Sequence, residues 1–230
     1  MPTPDFIIQL REKIGHEQIF VPACSAIIIR DVPADAALWE VPSVLLVKRS
    51  DNGTWTPVEG ICEPGEEITT TALREVKEEV GLDAKVEALL GVGQSGPVTY
   101  PNGDECTFMG TALRVSVADG AEPVISDEEN TEAGWFSVAK LPESVSRRHR
   151  LMIADAVAQM KHPRGFAPRM GWMKRSERPG PLGLVFCGVG KQPAQLLRIL
   201  GGDEFLCNAS ARIGHVVLAA AGNHGIADSN

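Results

Sequence analysis

Residues 60–82, GICEPGEEITTTALREVKEEVGL, constrain the fold of this chain more than any other stretch. From about residue 69 to residue 80 the apolar positions recur at helical spacing, and Gly81 stands where a helix C-terminus favours glycine. On a wheel of 100° per residue, Glu79 lies about 40° to one side of Glu75 and Glu78 about 60° to the other, so three carboxylates share an arc of roughly 100°. Ala72, Leu73, Val76 and Val80 fill the adjacent arc and face a core. Glu66 precedes the helix, near the positive end of its dipole. Like charges at such spacing destabilise a helix by roughly 0.2–0.5 kcal/mol per pair, and only Arg74 and Lys77 stand close enough in sequence to offset them. A hard, oxygen-preferring divalent cation, Mg²⁺ or Mn²⁺, would neutralise this face; the plainer alternative is a solvated acidic surface.

The flanking sequence predicts what this helix packs against. Residues 23–30 and 43–48 are β-branched runs bounded by prolines and joined by a loop over 31–42. Residues 86–93 and 106–117 read as strands separated by a loop with the turn dipeptide Asn102-Gly103, and 134–138 as a short strand. Residues 6–14 and 144–161 have helical spacing. Strands around one strong helix, closed by another, give an α/β (α+β) sandwich. The 230 residues, 43% apolar and 23% charged, suffice for one large or two small domains. The formal net charge of −8 is unevenly shared: residues 1–160 hold 13 basic and 26 acidic side chains, leaving 9 and 4 for residues 161–230. An acidic main body argues against a duplex nucleic-acid partner. After residue 160 Pro and Gly crowd into a linker-like stretch, 161–180, and 181–230 has no sustained periodicity. The expected organisation is therefore a domain over 1–160, a linker over 161–180, and a C-terminal extension of unknown structure over 181–230, with disorder among its options. Five dispersed cysteines, no C-x-x-C pair and no secretory layout point to reduced thiols and a cytoplasmic location. No apolar run approaches the roughly 18 residues of a membrane span.

The whole segment resembles the Nudix box, G-x5-E-x7-R-E-U-x-E-E-x-G-U with U aliphatic. Gly60, Glu66, Arg74, Glu75, Glu78, Glu79 and Gly81 occupy its seven fixed positions, and Val76 and Leu82 its aliphatic ones. At residue frequencies near 7% or less, seven identities agree by chance on the order of once per hundred million starting positions. The likeness to the Nudix hydrolases, MutT-like proteins, covers about residues 20–160 and resembles an uncharacterised bacterial, especially actinobacterial, branch. It implies a Nudix-type α/β/α sandwich with a mixed β-sheet. It further implies Glu75, Glu78, Glu79 and the Gly60 carbonyl as metal ligands, with Glu66 and Arg74 pinning the loop to the helix. For the catalytic base it offers Glu78, Glu79 or a separate loop glutamate, here Glu129 in Asp127-Glu128-Glu129. The approach to the box, Gly53 to Gly60, resembles the family's G-x-W-x-x-P-G-G but carries Glu59 in place of a glycine.

By that resemblance the chain is a divalent-metal-dependent pyrophosphohydrolase. Its expected substrate is a nucleoside diphosphate linked to another moiety, either a nucleotide sugar such as ADP-ribose or a nucleoside triphosphate. The alternative is a catalytically weak Nudix-fold nucleotide sensor, and homodimerisation is common in the family. Other signals read more plainly. Pro97 blocks the helix that a dinucleotide fingerprint at residues 91–96 would need. Cys62 has no adjacent base in sequence. Trp55 and Trp135 suit either base stacking or core packing. Arg147-Arg148-His149-Arg150 reads as a solvated helix start rather than a phosphate site.

Overall fold

A computed structural model describes residues 3–172 other than 34, 38 and 39, together with the backbone of two short strands further on. The longest apolar run of the sequence becomes its central strand, β1 (Ile19–Arg30), in which every residue from Cys24 to Ile29 is buried. Both faces of β1 are covered by helices, which is why its sequence is continuously apolar and not alternating. Cys24, Ala26 and Ile28 pack into one cluster with Ala72, Val76 and Val80 of α2 (Ile68–Val80). Ile27 and Ile29 pack on the other side with Met152, Ile153 and Ala156 of α3 (Arg147–Lys161). Strand β2 (Ser43–Arg49) repeats the pattern, sending Leu45 and Val47 to the α2 side and Val44 and Leu46 to the α3 side.

Around this axis lie β3 (Trp55–Thr56), β4 (Val58–Ile61), β5 (Ala84–Gln94), β6 (Val98–Thr99), β7 (Glu105–Val117), β8 (Asn130–Ser137) and β9 (Arg169–Met170). The sheet order is β3-β2-β1-β7-β5-β9, with β4 on β1, β6 on β7 and β8 on β2. The sheet is mixed: β1 runs parallel to β7 from Ile19↔Cys106 to Ile28↔Val115, and β5 runs parallel to β9, while the other pairs are antiparallel. This is the α/β/α sandwich expected from the sequence. Helix α1 (Asp5–Ile14) packs Ile7, with Phe6 and Ile14, against Ile19, Val21 and Cys106. Cys24, Cys62 and Cys106 form no disulfide. Among the described residues no helix is long and apolar enough to cross a membrane.

Two of the glycines of residues 91–96 have a packing reason. Gly91 and Gly93 lie within β5, not in a loop, and β9 returns across them. A Cβ on Gly91 would sit 2.5 Å from the Arg169 carbonyl oxygen, and one on Gly93 would sit 2.7 Å from the Trp172 ring. Trp172 is buried in the α3-side core, and Arg169 pairs with Asp155 of α3 through two hydrogen bonds of 2.7 Å. The compact unit thus extends from Met1 to Arg175 and takes in the first residues of the stretch whose composition reads as a linker; residues 173–180 lie outside the described set. A second unit spans Ser176–Asn230, in which β10 (Leu197–Arg198) pairs antiparallel with β11 (Glu204–Phe205). Apart from these two strands, the expectations for 181–230 fall outside the described residues.

Gly93→Ala forces the Trp172 ring or the β9 backbone to move, and should cost about 1–3 kcal/mol in urea denaturation. Gly96→Ala meets nothing within 4 Å and should stay within about 0.5 kcal/mol of the parent.

Candidate functional site

The box folds around one guanidinium. Arg74 donates from Nε to Glu66 Oε1 at 2.9 Å and from Nη2 to Glu66 Oε2 at 3.1 Å and the Ile61 carbonyl at 3.2 Å. Its Nη1 donates to Glu75 Oε1 at 2.8 Å and Glu78 Oε2 at 3.0 Å. Glu66 Oε2 also accepts from the Glu63 N–H at 3.1 Å and the Thr71 hydroxyl at 2.8 Å. With the Arg74 bonds as the largest cause, these contacts hold the Glu66 carboxyl down at about 2. Helix α2 ends where Gly81 adopts φ 69°, its N–H returning to the Lys77 carbonyl. Gly60 is required by the carboxylates themselves, because a Cβ there would overlap the Glu75 side chain.

Glu75 is 2% exposed and Glu79 is 5% exposed. Burial pushes the Glu75 carboxyl up to about 7, with Arg74 opposing, and the Glu79 carboxyl up to about 8, with the charges of Glu75 and Asp127 adding to the burial. Asn130 Nδ2 donates to Glu79 Oε2 at 3.0 Å. Two buried carboxylates that local donors leave undercompensated, beside the more exposed Glu78 and a glycine carbonyl strand, form an all-oxygen set that suits a hard divalent cation. The side chains are not gathered for one here: among the described residues no group of three His, Cys, Asp or Glu converges on a common metal position, and Arg74 engages Glu75 and Glu78.

The loop before β8 reaches the box helix. The Ser126 N–H donates to the Glu79 carbonyl at 3.3 Å, the Ser50 N–H donates to the Glu129 carbonyl at 2.7 Å, and Asp127 Oδ1 accepts the N–H groups of Glu129 and Asn130. Glu129 lines a cavity of about 570 Å³, along with Gly60, Glu59, Ser25, Arg148 and His149. The sequence missed part of this constellation. Arg148 and His149, expected on a solvated helix start, line the cavity, and His149 is 9% exposed. Glu59, the departure from the family pattern, is held in place: Ser25 Oγ donates to its Oε1 at 2.6 Å, and His149 Nε2 lies 3.2 Å from the same oxygen. The signal available in sequence was the departure itself, a charged residue where a glycine is usual. Trp55 and Trp135 do not line the cavity; Trp55 meets Phe136 edge-on at 4.7 Å, and Trp135 packs under the Arg30 guanidinium at 3.8 Å. Cys62 has its thiol pKa raised by burial, contrary to a nucleophile's need.

Because the Glu66 carboxyl is depressed, its contribution to stability is present above its ordinary value of 4.5 and is lost as pH falls toward 2. Glu66→Gln should therefore cost about 2 kcal/mol at pH 7, and the difference from the parent should shrink between pH 4.5 and 2 in denaturant titrations.

The NUDIX domain family model matches residues 29–156. The human 8-oxo-dGDP phosphatase NUDT18 is 32% identical over 127 residues, which are 54% of this chain and 37% of that one. A MutT-like protein of Streptomyces ambofaciens is 29% identical over 114 residues, 50% of this chain and 68% of that one. The ADP-ribose pyrophosphatase of Methanocaldococcus jannaschii is 33% identical over 129 residues, 54% of this chain and 71% of that one. The match thus spans little more than a third of the human relative's length. With more than half of its length matched by that model and every fixed position of the box in place, the chain belongs to the NUDIX domain family.

Proposed function

We propose that this protein is a divalent-metal-dependent pyrophosphohydrolase acting on a nucleotide-type small molecule, a nucleoside diphosphate linked to a further phosphate or a sugar. The observation that carries the reading is the burial of Glu75 and Glu79 with raised carboxyl pKa values, Glu75 lying against Gly60, which lines a cavity of nucleoside size. The names of the relatives, an 8-oxo-dGDP phosphatase and an ADP-ribose pyrophosphatase among them, lend support to this substrate class.

In this reading Glu75, Glu78, Glu79 and the Gly60 carbonyl hold the cation. Bound there, it would neutralise the diphosphate and lower the pKa of the attacking water. Glu66 and Arg74 act as positioning residues: the Glu66 bonds fix the guanidinium, and the guanidinium fixes where Glu75 and Glu78 point. Glu129 is the candidate general base, at the cavity wall, with Glu78 or Glu79 as the alternative. The water oxygen bonds to phosphorus and its proton passes to the carboxylate. The bridging P–O bond breaks, and the departing phosphate oxygen keeps the electron pair.

With Mg²⁺ or Mn²⁺ the purified chain should release phosphate, pyrophosphate or a nucleoside monophosphate from at least one of ADP-ribose, NADH, diadenosine polyphosphates and nucleoside triphosphates, as read by product mass. Tight binding without turnover across that panel would instead make it a nucleotide sensor. Glu78→Gln and Glu79→Gln should each lower kcat by about a hundredfold or more while the circular dichroism stays unchanged. Glu129→Gln should lower kcat about a hundredfold at unchanged KM and abolish the acidic limb of the pH–rate profile; a preserved limb assigns the base to α2.

A further inference from the structure

The cavity has a polar end formed by Glu59, Arg148 and His149. Neighbouring residues of β4 point to opposite faces of the sheet: Gly60 meets Glu75 of α2, and Glu59 meets His149 of α3. Gly60, Glu59 and Arg148 nevertheless line one cavity, so a ligand whose diphosphate lies by Gly60 is within the same space as Glu59 and Arg148. Arg148 is unusual there. It is half-buried, it donates no hydrogen bond and makes no ion pair with any described residue, and its Nε is buried without a partner. Its one ring contact is the Trp172 face, 5.2 Å away, and its guanidinium occupies the space a side chain at Gly110 would fill. Leaving even one guanidinium donor, here Nε, desolvated and unmatched is costly.

Glu59 makes no ion pair with it, and its charge acts on the guanidinium only through space. Its Oε1 takes the Ser25 hydroxyl and faces His149, and its Oε2 accepts from no described residue. His149 and Ser25 are positioning residues that aim this carboxylate. The cavity thus offers a fork of donors and a fixed acceptor among the apolar walls of Val21, Ile61 and Phe108.

We propose that Arg148 and Glu59 form a base-recognition subsite for a guanine-type edge. Arg148 donates to O6 and N7, and Glu59 accepts from N1–H or the 2-amino group. Arginine is the residue whose fork matches O6/N7, and a carboxylate is an acceptor only, suited to amino and imino hydrogens. Pyrimidines lack the O6/N7 pair, adenine presents a donor where O6 stands, and hypoxanthine lacks the 2-amino group. The subsite names the base in the substrate class proposed above and rests on that reading for the placement of the diphosphate.

The test is calorimetric binding of GMP, IMP, AMP and UMP to the full chain without metal, so that turnover plays no part. GMP should bind about tenfold or more tighter than AMP and UMP, with IMP weaker than GMP. Arg148→Met should weaken GMP about tenfold while leaving UMP unchanged, and Glu59→Gln should bring GMP close to IMP. Arg148→Lys keeps the charge and most of the stem but not the fork, so it should also lose the preference even if the methionine variant does not fold. Equal or absent binding of the four nucleotides, or an unchanged GMP preference in folded Arg148→Lys, overturns the subsite. Hydrolysis of the substrate panel without base discrimination would leave the pyrophosphohydrolase reading intact, and GMP selectivity without any hydrolysis would remove that reading while keeping the subsite.

Discussion

Everything at the box depends on Arg74. Five hydrogen bonds from one guanidinium join Glu66 before the helix, Glu75 and Glu78 on it, and the Ile61 carbonyl at the end of β4. A helix with acidic residues at positions 75, 78 and 79 carries self-repulsion that its own propensity does not offset. The guanidinium is what joins the loop over 60–67 to the carboxylates further along α2. Arg is suited to this because its planar fork meets three carboxylates and a carbonyl at once.

The sandwich makes that arrangement usable. Strand β1 is buried on both faces, so the sheet is held rigidly between α2 and α3. Strand β4 pairs with it through Ala23↔Ile61 to Ala26↔Val58. One short strand therefore delivers Gly60 to Glu75 of α2 and Glu59 to His149 of α3, both at the wall of the cavity. Buried carboxylates with pKa values near 7 and 8 are costly to keep in a fold unless something is gained when they ionise, and in the proposed function that gain is the cation.

Much of this was legible in the sequence. The period of residues 69–80, with Gly81 closing it, anticipates α2 (Ile68–Val80) closely, and the long apolar runs mark β1, β2, β5 and β7. Strands β3, β4, β6 and β9 are two to four residues long, below the length at which a period of two can be recognised, and they exist because neighbours offer them ladder hydrogen bonds. Arg148 and His149 looked like solvent-facing charge because an arginine-rich helix start usually is; only the close approach of Gly110 and the run of β4 bring them to a cavity. Gly91 and Gly93 resembled a nucleotide fingerprint, while their actual constraint, the return of β9 and Trp172, comes from some eighty residues downstream.

The central claim is that the carboxylate face of α2 holds a divalent cation. Its most direct test is calorimetric titration of Mn²⁺ into the parent chain and into Glu79→Gln, with the fold of each verified. The account predicts saturable binding by the parent, weakened tenfold or more by the substitution. Equal affinity in both, or no binding by the parent, would contradict it.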